Sequence, residues 1–327
     1  MHSPDTPALT VVSITPDRYE TVRRTIGCIR AQTALDSIEL LLVAPARATL
    51  DADETELAAF RWVRIVEVGP LGATGEVRAR AVREASAPIV VFTEDHCFPD
   101  PDWAAALLAR HEEPWAAVGP VLRNANPDTL VSWADLLIAY GPWLAPGSAG
   151  VASHLPGHNS SYKVAALREY GDRLGEFMEA ESVLQWDMRR RGHELFLEPA
   201  ARVSHTNFAF WSTFGPVQLM NGRSFADARA SGWPRWKRLA FAGASPLIPL
   251  VRFARAVRDG RRSGVPLPLL ARMLPTLAVG LALDGVGQML GYAIGADETL
   301  RTDLVCFESH RSDRNADDAR RAHASTA

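Results

Sequence analysis

Three short segments carry side chains able to do chemistry. Glu94-Asp95-His96 follows directly on the apolar run Ile89–Thr93. Two carboxylates and an imidazole at one strand terminus can hold a divalent cation, and that cation can neutralise a diphosphate leaving group. Imidazole is a more usual ligand of Mn2+ than of Mg2+. The plainer reading is a polar loop ending a strand. Leu155-Pro-Gly-His-Asn-Ser-Ser-Tyr162 is rich in small and amide side chains that let backbone approach a sugar, and it reads equally as a turn entering a helix near Ala165. Glu179-Ala-Glu-Ser182 precedes the helix-compatible stretch Val183–Arg190 and a turn at Gly192. A carboxylate there can act as general base, or can simply complement the helix macrodipole.

A fourth segment, Gly69-Pro-Leu-Gly72-Ala-Thr-Gly75, has dinucleotide-loop spacing. That fingerprint opens the helix after a first strand, whereas this one follows the third, and no acid closes the second strand. A nicotinamide site is set aside on that context. Flexible backbone near a phosphate-bearing ligand is compatible with it.

The elements that must position these residues alternate. Leu9–Thr15 reads as a buried strand ending at Pro16, and Asp17–Ala31 as a helix with Val22, Ile26 and Ile29 on one face. Strands follow at Ile38–Val43, Val63–Val68 and Ile89–Thr93, with helices near Thr55–Phe60 and over Glu76–Ala85. Strand–helix alternation with continuous apolar strands predicts an α/β fold with a mainly parallel central sheet covered by helices on both faces. Ligands of such sheets sit beyond the carboxyl ends of the strands, here Thr15–Arg18, Ala44–Arg47 and Glu94–His96. From Pro99 to about Ala209 the pattern is mixed, with a Gly/Pro-bounded loop over 145–157.

Composition narrows the partners. The 327 residues carry 35 Lys and Arg against 38 Asp and Glu, a net charge of −3, which excludes a generally basic nucleic-acid binder. Cys28, Cys97 and Cys306 stand far apart without a CxxC pair, which fits a reducing compartment. The opening MHSPDTPALT shows no secretory pattern, so a cytoplasmic active site is expected. Between Arg235 and Arg272 nine basic residues meet one acid, Asp259, with Trp233, Trp236, Leu247, Ile248, Leu250, Val251 and Phe253 interleaved. Such a stretch suits an anionic membrane surface; the alternative is an Arg-decorated helix packed on the rest of the chain. Leu274–Ile294 is more apolar and long enough to cross the ~30 Å hydrocarbon layer, but Asp284 at its middle makes a lone spanning helix costly. The polar end reads as disordered.

Taken in order, these segments resemble glycosyltransferase family 2, enzymes of GT-A fold, over roughly Leu9 to Gly295. LTVVSITPDR stands at the family's first strand and donor loop, with Thr15 and Arg18 matching. AQTALDSIELLLV is similar to its Gln-Thr and Ile-Glu elements (Gln32, Thr33, Glu39). VRARAVREASAPIVVFTEDH resembles the Arg-bearing helix, strand and metal motif, with Arg78 on the matching Arg. LPGHNSSYKVAAL resembles the acceptor-side Gly-x-Asn segment (Gly157, Asn159, Tyr162). GEFMEAESVLQWDMRRRGHELFLEPAARVSH resembles the base-bearing segment with its closing His205. The chain departs from the family where Ala44-Pro45 replaces an Asp, where Glu-Asp-His replaces DxD, and where Glu replaces the catalytic Asp.

The resemblance implies an inverting transfer from a nucleotide-sugar to a membrane-borne, lipid-linked or glycan acceptor hydroxyl, by an enzyme attached peripherally to the cytoplasmic face of a membrane. Glu181 falls at the base position, with Glu179 the fallback. Thr15, Arg18, Glu39, Arg78, Glu94 and Asp95 would meet the donor. Glu94, Asp95, His96 and His205 would hold Mn2+ or Mg2+. The implied organisation is a catalytic domain over 5–230, membrane-associating helices over 231–298 and a polar tail over 299–327. The competing reading is a catalytically silent scaffold that binds sugar or nucleotide.

Overall fold

The computed structural model describes residues 6–71 and 74–324. The expectations resting on residues 1–5, on Gly72 and Ala73 of the glycine-rich loop, and on the tail beyond 324 lie outside the described residues. The chain divides into two compact units, Met1–Arg123 with Ala145–Ser204, and Asn124–Leu144 with His205–Ala327.

The first unit starts with β1 (Leu9–Ile14), α1 (Tyr19–Arg30), β2 (Ile38–Ala44), α2 (Arg47–Leu50), α3 (Glu54–Leu57) and β3 (Trp62–Glu67). It continues through α4 (Thr74–Glu84), β4 (Ile89–Thr93), β5 (Cys97–Pro99), α5 (Trp103–His111) and β6 (Ala117–Asn124). Helix α6 (Leu130–Tyr140) belongs to the second unit. The chain then returns with β7 (Gly150–Ala152), β8 (Ser161–Lys163), α7 (Val164–Arg168), α8 (Leu174–Met178), α9 (Glu181–Arg190) and β9 (Leu195–His205). Strands and helices of the first hundred residues fall within a few residues of their expected places.

One sheet runs in the order β3-β2-β1-β4-β8-β6-β9-β5, with β7 on β9. The pairs β3–β2, β2–β1 and β1–β4 are parallel, whereas β8 runs antiparallel to β4 and to β6. The parallel half is apolar on both faces: Leu9, Val11, Val12, Leu40–Val43, Val90 and Val91 are fully buried. Tyr19, Val22, Ile26 and Ile29 of α1 pack into that core at helical spacing. Register aligns Ser13 with Thr93, so the chain leaves β1 and β4 at the same edge.

Glu39 lies at the other end of the strands, opposite Thr10. It accepts hydrogen bonds from Thr10 Oγ1 (2.5 Å), Ser86 N and Oγ (both 2.9 Å) and Arg64 Nε (3.0 Å). Burial alone would raise its pKa, but these donors together bring it below the ordinary carboxylate value. The expectation of a donor contact is therefore corrected: Glu39 is 2% exposed and clamps β1, β2, β3 and the turn before β4. Gln32 and Thr33 are structural too. Gln32 Nε2 donates to the carbonyls of Cys28 and Asp100 while its Oε1 accepts from Ala104 N, and Thr33 Oγ1 donates to Asp102.

His111, in the last turn of α5, is buried and hydrogen-bonded through Nε2 to Ser161 Oγ at 2.8 Å. Ser161 Oγ in turn donates to Val118 O, so His111 Nε2 carries the proton it shares. Burial, aided by Lys163, lowers its pKa from 6.5 to about 4.

The second unit is helical: α6, α10 (Trp211–Arg229), α11 (Arg235–Ala244), α12 (Ile248–Arg262), α13 (Leu267–Ile294), α14 (Glu298–Glu308) and α15 (Arg311–Ala324). The expected boundary near residue 230 is corrected, because α6 and α10 bury their apolar faces with α12 and α13. Val131, Leu137, Phe214, Val217, Leu270, Met273 and Leu277 form that core. Helices α10 and α13 approach backbone to backbone. A Cβ on Gly287 would strike the Leu219 carbonyl, and one on Gly291 the Arg223 carbonyl. Asp284 is not left alone in its apolar helix, since it pairs with Arg252 and accepts from Gln288 Nε2 at 2.8 Å. Arg235–Arg262 and Leu267–Ile294 are both long and apolar enough to cross a membrane by length and composition. Against expectation, the polar tail is helical through residue 324. Asp297 caps Leu300 N at 2.9 Å, and Arg301 pairs with Asp227 at 2.7 Å.

Two measurements check these assignments. Glu39→Gln is expected to lower stability by about 1–3 kcal/mol without altering nucleotide binding; weakened nucleotide binding in a stably folded variant would overturn the structural role. For His111 the unfolded chain binds the extra proton between pH 6.5 and about 4, so this group's stabilisation is present above pH 6.5 and lost as pH falls through that window, about 3 kcal/mol in all. Urea unfolding at pH 7 and pH 4 should show His111→Gln losing that much less than the wild type on acidification.

Candidate active site

The carboxyl edge of β4 begins the site. Thr25, fully buried in α1, places its hydroxyl 3.0 Å from the carbonyl oxygens of Glu94, Asp95 and Cys97 and so holds the turn. This leaves the side chains of Glu94, Asp95 and His96 clustered at the strand end, as expected. His96, 1% exposed, hydrogen-bonds through Nδ1 to Asp95 Oδ1 at 2.8 Å, and its Nε2 lies 3.3 Å from Glu94 Oε2. Cys97 Sγ is 3.4 Å from the same oxygen. The ligand atoms of Glu94, His96 and Cys97 thus lie within 4.8 Å of one another. Asp95 orients the imidazole, an arrangement common behind metal-ligating histidines. Carboxylate, imidazole and thiol together make a donor set better suited to a transition metal than to Mg2+.

The segment before β8 supplies the next layer. Asn159 adopts φ 64°. Its backbone N–H donates to Phe92 O at 2.7 Å, and its Oδ1 accepts from Thr93 Oγ1 at 3.0 Å. Asn is among the few side chains that enter this left-handed region readily. The turn aims His158 into the site, a residue the sequence reading quoted but gave no role. His158 Nδ1 donates to Glu94 Oε1 at 3.0 Å, and its Nε2 accepts from Arg78 Nη2 at 2.5 Å. Burial lowers the His158 pKa, with Arg78 and His96 acting the same way against Glu94 and Glu181. A neutral imidazole with the proton on Nδ1 satisfies both hydrogen bonds, donating to Glu94 and accepting from Arg78.

Glu181 opens α9. Its Oε1 is 2.7 Å from Arg78 Nη1 and 3.5 Å from His158 Nε2. Its Oε2 lies over Gly157, where a Cβ would come within 3.0 Å of it, so glycine leaves the carboxylate room. Arg78 also donates to Met178 O at 2.9 Å. An unbroken set of polar contacts therefore runs Asp95–His96–Glu94–His158–Arg78–Glu181.

Other expected residues have partners of their own. Glu179 accepts from Gly75 N at 2.8 Å and caps the start of α4. Tyr162 is 1% exposed, accepts from Gln185 Nε2 at 2.8 Å and has its pKa raised by burial, so it is a core residue and not an acceptor contact. Thr15, at the end of β1, donates to Arg18 O (3.1 Å), and Arg18 is exposed at the start of α1. His205 is the last residue of β9 and falls in the second unit, where Nδ1 hydrogen-bonds Asn207 Oδ1 at 2.9 Å. Cys97 was not among the expected ligands; its only sequence signal was adjacency to His96.

No protein-family profile and no curated protein matches the sequence. Solved structures do. The mannosyltransferase PcManGT from Pyrobaculum calidifontis, in complex with GDP-Man and Mn2+, matches at TM-score 0.52 and 16% identity over 97% of this chain and 89% of its own. GalNAc-T7 with UDP, GalNAc and Mn2+ matches at TM-score 0.48 and 12% identity over 63% of this chain. S. aureus TarS matches at 0.43 and 13% over 86%. The chain spans about half the length of these last two, 44% and 55%. With a whole-chain match of this kind behind the strand order and the residues at its carboxyl edge, the fold is the GT-A fold of glycosyltransferases.

Proposed function

We propose that this protein is a nucleotide-sugar-dependent glycosyltransferase that inverts the anomeric centre, with Glu181 as general base. The observation that carries the reading is the contact set joining Glu94, His158, Glu181 and Arg78 at the carboxyl edge of a GT-A sheet. Single displacement needs a carboxylate on the acceptor side, opposite the leaving diphosphate. Arg78 and Gly157 fix Glu181 in one orientation, so an acceptor hydroxyl placed against Oε2 can hand over its proton as it attacks. His158 links base and acidic turn as a neutral, hydrogen-bonded spacer, which keeps the carboxylates of Glu94 and Glu181 apart. Thr15 and Arg18 line the same edge for the donor.

The donor set fits a divalent cation, held by Glu94 and His96 with Cys97 beside them. When bound, the cation supplies charge neutralisation for the departing nucleoside diphosphate.

For the acceptor we favour a lipid-linked substrate at a membrane surface. Trp236, Leu239, Leu247, Leu250 and Val251 of the α11–α12 stretch are exposed, Trp236 to 72%, while Arg235, Lys237, Arg255 and Arg261 stand among them. An apolar row flanked by bases suits the headgroup boundary of an anionic bilayer, with the enzyme on its cytoplasmic face.

Three results are expected. Glu181→Gln should lose transfer by ~10²–10⁴ with donor affinity unchanged, and Glu179→Gln much less. Full turnover by Glu181→Gln would place the base elsewhere; donor binding by a wild type that never turns over any acceptor would favour the silent scaffold. Mn2+ with a nucleotide-sugar should raise the unfolding temperature of the wild type and not of Glu94→Gln. Trp236→Ser with Leu250→Ser should cut co-sedimentation with phosphatidylglycerol vesicles; unchanged binding would defeat the membrane reading.

A further inference from the structure

A cavity of about 610 Å³ opens within the helical unit, where the start of α11 meets the end of α13. Asp227, Arg235 and Arg238 form its polar wall, and Leu239, Ala293 and Ile294 its apolar wall. Asp227 is answered twice, by Arg238 Nη2 at Oδ1 (3.0 Å) and by Arg301 Nη2 at Oδ2 (2.7 Å). Arg238 also donates to the carbonyls of Tyr292 (Nε, 3.0 Å) and Gly291 (Nη2, 2.9 Å). Arg223, which pairs with Asp297, donates through Nε to Gly295 O at 2.7 Å. The carbonyls that end α13 are thus already taken by cations. Arg235 is exposed and meets no carboxylate among the described residues. Three guanidinium groups, of Arg235, Arg238 and Arg301, therefore stand around the one carboxylate of Asp227, and the polar wall is positive.

The apolar wall is open to water, with Leu239 61% and Ile294 72% exposed. At helical spacing Leu239 joins Trp236 before it and Gly243 and Leu247 after it, all exposed, so the wall runs out into the apolar row of α11. A compact anion would use the guanidinium groups alone. This cavity sets an apolar ramp directly beside them, which suits an amphiphile with a phosphate at one end. Guanidinium groups bind phosphate oxygens through charge-assisted hydrogen bonds, and an alkyl chain laid over Leu239 and Ile294 gains by leaving water.

Resting on the reading of the α11–α12 face as membrane-facing, we infer that this cavity is a discrete site for the phosphate of an anionic membrane lipid, with the acyl chains over Leu239 and Ile294. Scattered surface bases attract an anionic bilayer collectively and without a fixed partner. The cavity instead takes one headgroup and saturates. Arg238, pinned by two carbonyls and Asp227, is the preformed half of the clamp, and Arg235 completes it. One bound headgroup at the start of α11 pins that end of the apolar row to the headgroup layer.

Calorimetric titration of the full-length protein with dihexanoyl phosphatidic acid, kept below its micelle concentration, tests this. A saturable one-to-one isotherm is expected, weakened roughly tenfold in Arg235→Gln by loss of a charged hydrogen bond. Arg235 is exposed in the first turn of α11, where a cation opposes the helix dipole, so the variant should fold as the wild type does. Leu239→Ser should weaken the lipid and leave inorganic phosphate unaffected, and inorganic phosphate should bind the wild type at least tenfold more weakly than the lipid, by roughly the worth of a few buried methylenes. Phosphate binding as tight as the lipid would make this a free-anion site and overturn the lipid assignment. Absence of saturable lipid binding, or unchanged affinity in Arg235→Gln, would overturn the site. Co-sedimentation of the same proteins with phosphatidylglycerol vesicles judges the membrane face separately. Wild type that sediments with vesicles but ignores the soluble lipid keeps the face and loses the site; wild type that binds the soluble lipid but not vesicles keeps the site and loses the face.

Discussion

The ion pair between Arg78 and Glu181 holds together two parts of the first unit that the chain keeps a hundred residues apart. Arg78 comes from α4, which follows the third strand, and Glu181 opens α9. Both side chains are largely withdrawn from water, at 11% and 17% exposure. Removing one partner of a buried pair leaves an uncompensated charge and costs about 3–5 kcal/mol. The pair is therefore structural before it is chemical: it seats α9 against the glycine of 157 and presents His158 to the acidic turn.

Charge in this protein is kept at edges, because the strands themselves are apolar on both faces. At one edge of the sheet Glu39 collects Thr10, Ser86 and Arg64 and becomes part of the frame. At the other edge Glu94 collects His96, Cys97 and His158. The two glutamates differ less in burial than in what surrounds them. Donors satisfy Glu39, whereas Glu94 faces groups that are themselves donors to metals.

The helical unit solves a different problem. Its long apolar helix α13 carries Asp284, and Arg252 from α12 answers it, so the segment folds as a packed helix with an outward apolar row on its neighbours. Glycines at 287 and 291 let α10 and α13 approach at backbone distance, which is how so apolar a helix buries one side within the unit. The polar arm beyond it uses caps and ion pairs in place of apolar area, and composition alone therefore read it as disordered.

Much of the fold was legible because burial on two faces forces unbroken β-branched and aliphatic runs, and Leu9–Ile14, Ile38–Ala44 and Ile89–Thr93 are such runs. The order of those runs also set which strand ends carry the acids, so Glu94, Asp95 and His96 could be found from the sequence by position. Tertiary structure decided what each side chain then does. Glu179 and Glu181 are two residues apart and alike in chemistry, yet one meets the N–H of Gly75 and the other the guanidinium of Arg78. His158, Gln185 and Cys97 acquired their partners from segments distant in sequence or from a turn geometry that no local pattern announces. Local propensity fixes the strand; which of two equivalent carboxylates reaches a cation depends on packing between elements that meet only in the folded chain.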